Sequence, residues 1–197
     1  MLVKMSPVRI STNLRRRFSY QLVAWLRRHT GSSLLRAAEI VKRPVAVRRV
    51  LYGYDPHIRQ AAKDDFQQRL MRAIALEEEL REFPPFVKSA LEGIGFGDSV
   101  GPAQIRVSLW AEKYGTSRQE LLAAKTHFET MRRHLDKLEL DVKARGMRLT
   151  IANVASLWND GDTTKPTDYG LRVKDLDRQI RARFRKDRKA VPSLCFE

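Results

Sequence analysis

Apolar residues in the central part of this chain recur at steps of three and four. Phe66, Leu70 and Ile74 follow such a repeat, and a second repeat runs through Phe128, Met131, Leu135 and Leu138. These steps match the 3.6-residue turn of an α-helix, whereas a half-buried strand requires alternation at a step of two. No convincing run of alternation is present. The pattern therefore predicts a mainly α-helical domain.

Local signals indicate where these helices begin and end. Ser117 and Glu120 have the spacing of a capping box, which predicts that the second repeat starts there as one long helix. Phe83-Pro84-Pro85 is expected to close the preceding helix, because proline lacks a backbone donor and disfavours helical backbone before it. Four glycines within residues 93–101 predict a loop between the two helices.

The net charge of +15 is distributed unevenly along the 197 residues. Residues 1–53 contain twelve basic residues and one acid, and residues 171–197 contain nine basic residues and four acids. The part between them has 17 basic and 18 acidic residues and is nearly neutral. This distribution predicts a neutral central domain with basic flanks that attract anionic partners.

The N-terminal flank has the pattern of a basic amphipathic helix, with Phe18, Leu22 and Trp25 at helical spacing among arginines. Such a helix suits contact with an anionic membrane or wall surface, with a nucleic acid, or with the main domain. Its longest apolar stretch, residues 22–26, is too short for a signal peptide or a membrane span, so the localisation stays open.

Several classes of chemistry receive no support from the residue types and their spacing. The single cysteine, Cys195, allows no internal disulfide and no thiolate metal cage. The four histidines are scattered, and Gly93, Gly95 and Gly97 do not precede the Lys-Ser/Thr of a phosphate-binding loop. We therefore expect neither a metal nor a cofactor.

Three short segments combine acidic, amide, glycine and aromatic residues. They are Glu77-Glu78-Glu79 at the end of a predicted helix, Ser-Val-Gly-Pro-Ala-Gln-Ile at residues 99–105, and Ala-Ser-Leu-Trp-Asn-Asp-Gly at residues 155–161, which is followed by Tyr169. In this order they resemble the lysozyme-like lytic transglycosylases. That family has a catalytic Glu at a helix end, then Ser-x-Gly-x-x-Gln-Ile/Val, then an aromatic residue with Asn-x-Gly, and then a Tyr.

The resemblance implies a fold and a set of site residues. It implies a lysozyme-like helical domain over residues 54–185, with a basic helical extension at residues 1–53 and a basic tail at residues 186–197. Its catalytic residue would be Glu78, with Glu77 and Glu79 as alternatives. The substrate-binding residues carried over from the motifs are Ser99, Gly101, Gln104, Ile105, Trp158, Asn159 and Tyr169.

Glu78 is favoured among the three acids because Ile74 and Ala75 precede it by four and three residues, so it continues the buried face of the helix. Partial burial raises the pKa of a carboxyl, and a protonated acid is what glycosidic bond cleavage needs. The family resemblance implies that Glu78 protonates the bond between N-acetylmuramic acid and N-acetylglucosamine in peptidoglycan. It would then deprotonate the muramyl 6-hydroxyl.

Alternatives to this reaction stay open. A hydrolytic variant would use water and a second carboxylate, for which Asp98, Asp160 and Asp162 are candidates. A nucleic-acid-binding protein is a second hypothesis, based on the basic N-terminal segment. A third is a lysozyme-like domain without catalysis that binds the cell wall. An enzyme acting on the wall would need an export route such as a secretion or phage apparatus.

Overall fold

The computed structural model of the protein describes residues 44–81 and 98–190. Within these ranges the chain is mainly α-helical, which confirms the class predicted from periodicity. An antiparallel hairpin pairs Ser99 with Arg106 and Val100 with Ile105. The elements are α1 (Asp55–Ala61), α2 (Asp65–Arg81), β1 (Ser99–Val100), β2 (Ile105–Arg106), α3 (Val107–Tyr114), α4 (Arg118–Leu121), α5 (Ala124–Ala144), α6 (Ile151–Asp160) and α7 (Asp168–Ala190).

The core lies where α2, α5, α6 and α7 meet. Helix α7 packs along α6 and α2, and α5 contacts α1, α2 and α6. The predicted apolar stripes of α2 and α5 are buried here, as Leu70, Ile74, Phe128 and Leu135 show. Burial of each large apolar side chain contributes about 1.5 to 3 kcal/mol to folding. The helices are thus held by the faces that the sequence repeats predicted.

The packed body begins before Tyr54, where the sequence pattern placed its start. Residues 44–48 are helical, and a π-helical turn at Arg49–Tyr54 leads directly into α1. Ala46, Val50 and Leu51 are buried in the core. At the other end, α7 continues through the expected beginning of the tail to Ala190. Residues 1–43, which contain the predicted amphipathic helix, and residues 191–197 lie outside the described residues.

The capping box is confirmed, but the long helix that it was expected to open is two helices. The Ser117 hydroxyl accepts from the Glu120 amide, and the Glu120 carboxylate accepts from the Ser117 amide at 2.7 Å. Helix α4 nevertheless ends at Leu121, and α5 begins at Ala124. The Leu121 carbonyl bonds to the imidazole of His127 at 3.2 Å, which stabilises the break between the helices.

The segment between α2 and α3 is only partly described. Phe83-Pro84-Pro85 and most of the glycine-rich stretch lie outside the described residues, and α2 is described as far as Arg81. From Ser99 onward the expected loop forms the short hairpin instead. None of the described helices has the length and apolar character that a membrane span requires.

Candidate active site

The three consecutive acids at the end of α2 lie in three different environments. Glu77 is buried and accepts a hydrogen bond from Arg172 Nε at 2.7 Å. Glu79 is also buried and pairs with Arg49 Nη1 at 3.3 Å. Glu78 is half-buried and lines a cavity. Because successive helix residues point about 100° apart, one helix end supplies two carboxyl groups that form structural ion pairs and one carboxyl group that faces the cavity.

Glu78 is held by Tyr169 from the first turn of α7. The buried Tyr169 hydroxyl donates a hydrogen bond to Glu78 Oε1 at 2.7 Å. Burial and the adjacent Glu78 carboxyl raise the pKa of Tyr169 well above its usual value, so the phenol stays protonated and keeps donating. The guanidinium carbons of Arg81 and Arg172 lie 5.4 and 6.0 Å from the centre of its ring. Cations and a hydrogen bond therefore fix the phenol against the carboxyl.

The cavity has a volume of about 540 Å³ and brings the three sequence segments together. Glu78 comes from α2, Ser99 and Gln104 from the hairpin, and Trp158 and Asn159 from the end of α6. Helix α3 and helix α5 complete its wall. The other lining residues are Arg106, Leu109, Trp110, His134, Lys137, Leu138, Asp141, Leu157, Asp160 and Gly161.

The conformation of the hairpin turn explains why residue 101, in the second sequence segment, is a glycine. Gly101 has a φ of +74°, and a Cβ there would overlap the buried imidazole of His127. His127 accepts a hydrogen bond from the Ala103 amide at 3.0 Å, which ties the turn to α5. Gln104 also has a positive φ, of +52°, and its amide group donates to the Gly101 carbonyl at 3.0 Å. A positive φ is uncommon outside glycine, so the turn orients Gln104 at a conformational cost.

Three of the predicted substrate-binding residues do not line the cavity: Gly101, Ile105 and Tyr169, whose hydroxyl instead bonds to Glu78. Ile105 is fully buried in the core, opposite Val100 in the hairpin. Gly101 is buried against His127. The place of Ile105 and Gly101 in the motif is explained by packing, because they anchor the hairpin that presents Ser99 and Gln104.

The candidate second carboxylates are also separated by the fold. Asp98 accepts hydrogen bonds from the amide and the hydroxyl of Ser108 at the start of α3. Asp162 is exposed and pairs with Arg145 at 2.7 Å. Asp160 lines the cavity and accepts from the Asn159 side chain at 2.6 Å. Asp141, which the sequence reasoning did not single out, lines the cavity from α5.

Sequence reasoning also missed the aromatic wall of the cavity. The Trp110 ring centre lies 3.7 Å from that of His134 and 4.7 Å from that of Trp158. Tyr114 approaches His134 Nδ1 at 3.1 Å through its hydroxyl. The sequence of α5 contained one indication of this wall. His134, Leu138 and Asp141 are spaced by four and three residues and so share one face of the helix. That face joins a site only because α3 and α6 pack beside it.

The environment of His134 makes the stability of the fold depend on pH. Burial, with Lys113 and Lys137 nearby, lowers the pKa of His134 from 6.5 to about 3. Between these values the unfolded chain binds a proton that the folded protein excludes. The contribution of neutral His134 to the free energy of unfolding is therefore complete above pH 6.5. It is lost as the pH falls toward 3, at about 1.4 kcal/mol per pH unit.

We therefore expect the free energy of unfolding of His134→Gln to fall less than that of wild type between pH 7 and pH 5. Urea unfolding at both values measures this difference, and the better exposed His57→Gln is the matched control. Equal pH dependence in His134→Gln and wild type would contradict the assigned role of this histidine.

The described residues contain no group of three or more His, Cys, Asp or Glu side chains positioned to hold a metal ion. Comparisons with protein-family models, with curated proteins and with solved structures found no match for this chain.

Proposed function

We propose that this protein is a peptidoglycan-cleaving lytic transglycosylase or muramidase with a lysozyme-like domain. In this proposal it acts on the β-1,4 bond between N-acetylmuramic acid and N-acetylglucosamine, and Glu78 is its general acid and base. The observation that carries the proposal is the meeting of Glu78, Gln104 and Asn159, from three separate segments, around one cavity. These segments follow one another in the same order as the corresponding motifs of the lytic transglycosylases that the sequence resembles.

The proposed reaction needs one group that first gives and then takes a proton. Protonated Glu78 donates its proton to the glycosidic oxygen, and the bond from that oxygen to the anomeric carbon breaks. The resulting Glu78 carboxylate is stabilised by the Tyr169 hydroxyl. It then accepts a proton from the muramyl 6-hydroxyl, whose oxygen bonds to the anomeric carbon and closes an anhydro ring. If water replaces this hydroxyl, the product is a reducing sugar.

The remainder of the cavity is suited to sugars. Trp110 and Trp158 supply an apolar wall, while the side-chain amides of Gln104 and Asn159 can bond to hydroxyl and acetamido groups. Asp141 and Asp160 are the carboxylates available for a hydrolytic step on this wall. The cavity thus combines a proton donor, an apolar surface and polar groups from α2, the hairpin, α3, α5 and α6.

The test of this function is digestion of purified peptidoglycan sacculi by the full chain. We expect soluble muropeptides, and mass spectrometry separates the two products because an anhydro end is 18 Da lighter than a reducing end. Binding to sacculi without release would instead support the hypothesis of a wall-binding protein without catalysis. Absence of both binding and release would contradict the proposal.

Tyr169→Phe tests the hydrogen bond to Glu78. Loss of a hydrogen bond to a charged group costs about 1.5 to 3 kcal/mol, so we expect kcat to fall about tenfold or more, with a smaller change in KM. The rate of muropeptide release at several substrate concentrations measures both constants. Tyr52→Phe, at an exposed position, is the matched control, and an unchanged kcat in Tyr169→Phe would exclude the role of this phenol.

A further inference from the structure

Helix α7 carries a row of cations on a flank that the core does not cover. Lys174, Arg178, Arg181 and Arg185 are exposed and follow one another at steps of four, three and four. We call these four residues the basic stripe. At 100° per residue they lie within about 60° of one another, and the stripe is about 17 Å long. It is therefore straight and nearly parallel to the helix axis.

Within the described part of the chain, Arg178 and Arg181 are the stripe residues that form salt bridges. Arg181 pairs with the buried Asp177 at 3.3 Å. Arg178 pairs with Asp175 at 3.6 Å, with both side chains largely exposed, and such pairs contribute little to stability. Neither Lys174 nor Arg185 forms a salt bridge with the described part of the chain. By contrast, Arg69 forms a bidentate pair with Asp177.

The stripe is separate from the candidate active site. Within the described ranges, none of the residues that line the cavity belongs to α7. Leu171 lies one turn before Lys174 on the same flank and is exposed to 45%. An exposed leucine beside a row of cations is typical of helices that bind at a lipid interface. Proteins that bind single-stranded nucleic acids usually have aromatic side chains on which the bases stack, and the stripe itself contains none.

We propose that the basic stripe of α7 is a docking surface for an anionic phospholipid membrane. A planar anionic surface can meet all four cations of a straight stripe at once, while Leu171 enters the headgroup region. The net charge of +15 adds long-range attraction to the same partner. This inference does not rest on Glu78 or on the proposed reaction, and it concerns a different face of the molecule.

The test is sedimentation of the full chain with vesicles of phosphatidylcholine alone or with 30% phosphatidylglycerol. The stripe variant is Lys174→Gln, Arg178→Gln, Arg185→Gln, which leaves the Arg181 pair with Asp177 intact. Its control is Lys125→Gln, Lys143→Gln, Arg148→Gln, which removes the same charge from exposed positions on and after α5. Thermal unfolding of both variants checks that they fold.

Each cation near an anionic leaflet contributes about fivefold to binding, so the stripe variant should bind acidic vesicles about 100-fold more weakly than wild type. The control variant should retain much more of the binding, and wild type should dissociate as salt is raised from 50 to 500 mM. Equal losses in the two variants would overturn the proposal. So would wild-type binding that does not depend on phosphatidylglycerol, or a stripe effect on binding to duplex DNA but not to vesicles.

Discussion

Replacement of Glu78 by Gln is expected to lower the rate of muropeptide release by about 10²- to 10⁴-fold. The amide is almost the same size as the carboxyl group and can still accept a hydrogen bond from Tyr169, so the cavity should keep its shape. It cannot give a proton to the glycosidic oxygen or take one from a sugar hydroxyl or water. General acid and base catalysis by one positioned side chain accelerates a reaction by about this factor. Initial rates on purified sacculi measure the loss directly.

The neighbouring acids provide the controls for this experiment. Glu79→Gln weakens the pair with Arg49 but leaves the group that faces the cavity unchanged. We expect Glu79→Gln to lower the thermal midpoint more than Glu78→Gln, and to retain the activity of its folded fraction. If Glu79→Gln removed activity from fully folded protein while Glu78→Gln remained active, the assignment of the catalytic acid would be wrong. A wild-type rate in both variants would exclude Glu78 and Glu79 as the catalytic acid.

Replacement of Gly101 by Ala is expected to destabilise the protein by about 3 kcal/mol or more. The φ of +74° is unfavourable for alanine, and the added methyl group would overlap the imidazole of His127. That imidazole is fully buried and hydrogen-bonded to the Ala103 amide and the Leu121 carbonyl, so it cannot move aside without loss of both bonds. Equilibrium unfolding in urea measures the difference from wild type.

Gly115→Ala separates the two causes of this destabilisation. Gly115 has a similar φ of +63°, but a Cβ there would meet no atom of the described residues within 4 Å. Only the backbone cost, about 1 to 2 kcal/mol, is expected at this position. Similar losses in the two variants would show that His127 does not limit the space at Gly101. In that case the glycine of the second segment would serve the turn alone.

The parts of the site that could be predicted were those with a local cause. Ile74 and Ala75 predicted that Glu78 continues the buried face of α2, but Glu78 is half-buried at the cavity, whereas Glu77 and Glu79 are buried. The Ser117 capping box depends on residues three apart and formed as predicted. The break after Leu121 could not be predicted in this way, because it involves the His127 side chain on the next helix.

The remaining site residues depend on which elements lie side by side. Trp110 and His134 belong to the cavity because α3 and α5 pack next to the end of α6, and no spacing within either helix indicates that contact. Ile105, in contrast, was predicted from its motif but does not belong to the cavity. Its motif suggested contact with substrate, yet it is fully buried and anchors the hairpin.

The sequence by itself determined the helical class, the buried faces of α2 and α5, and the cap at Ser117, because backbone periodicity and capping act over a few residues. Only the tertiary structure decided among the three acids. Arg49 and Arg172 reach Glu79 and Glu77 from distant parts of the chain, and Tyr169 reaches Glu78 from α7. Side chains so far apart in sequence meet only when helix packing closes the core, so the carboxyl group that faces the cavity is determined by that packing.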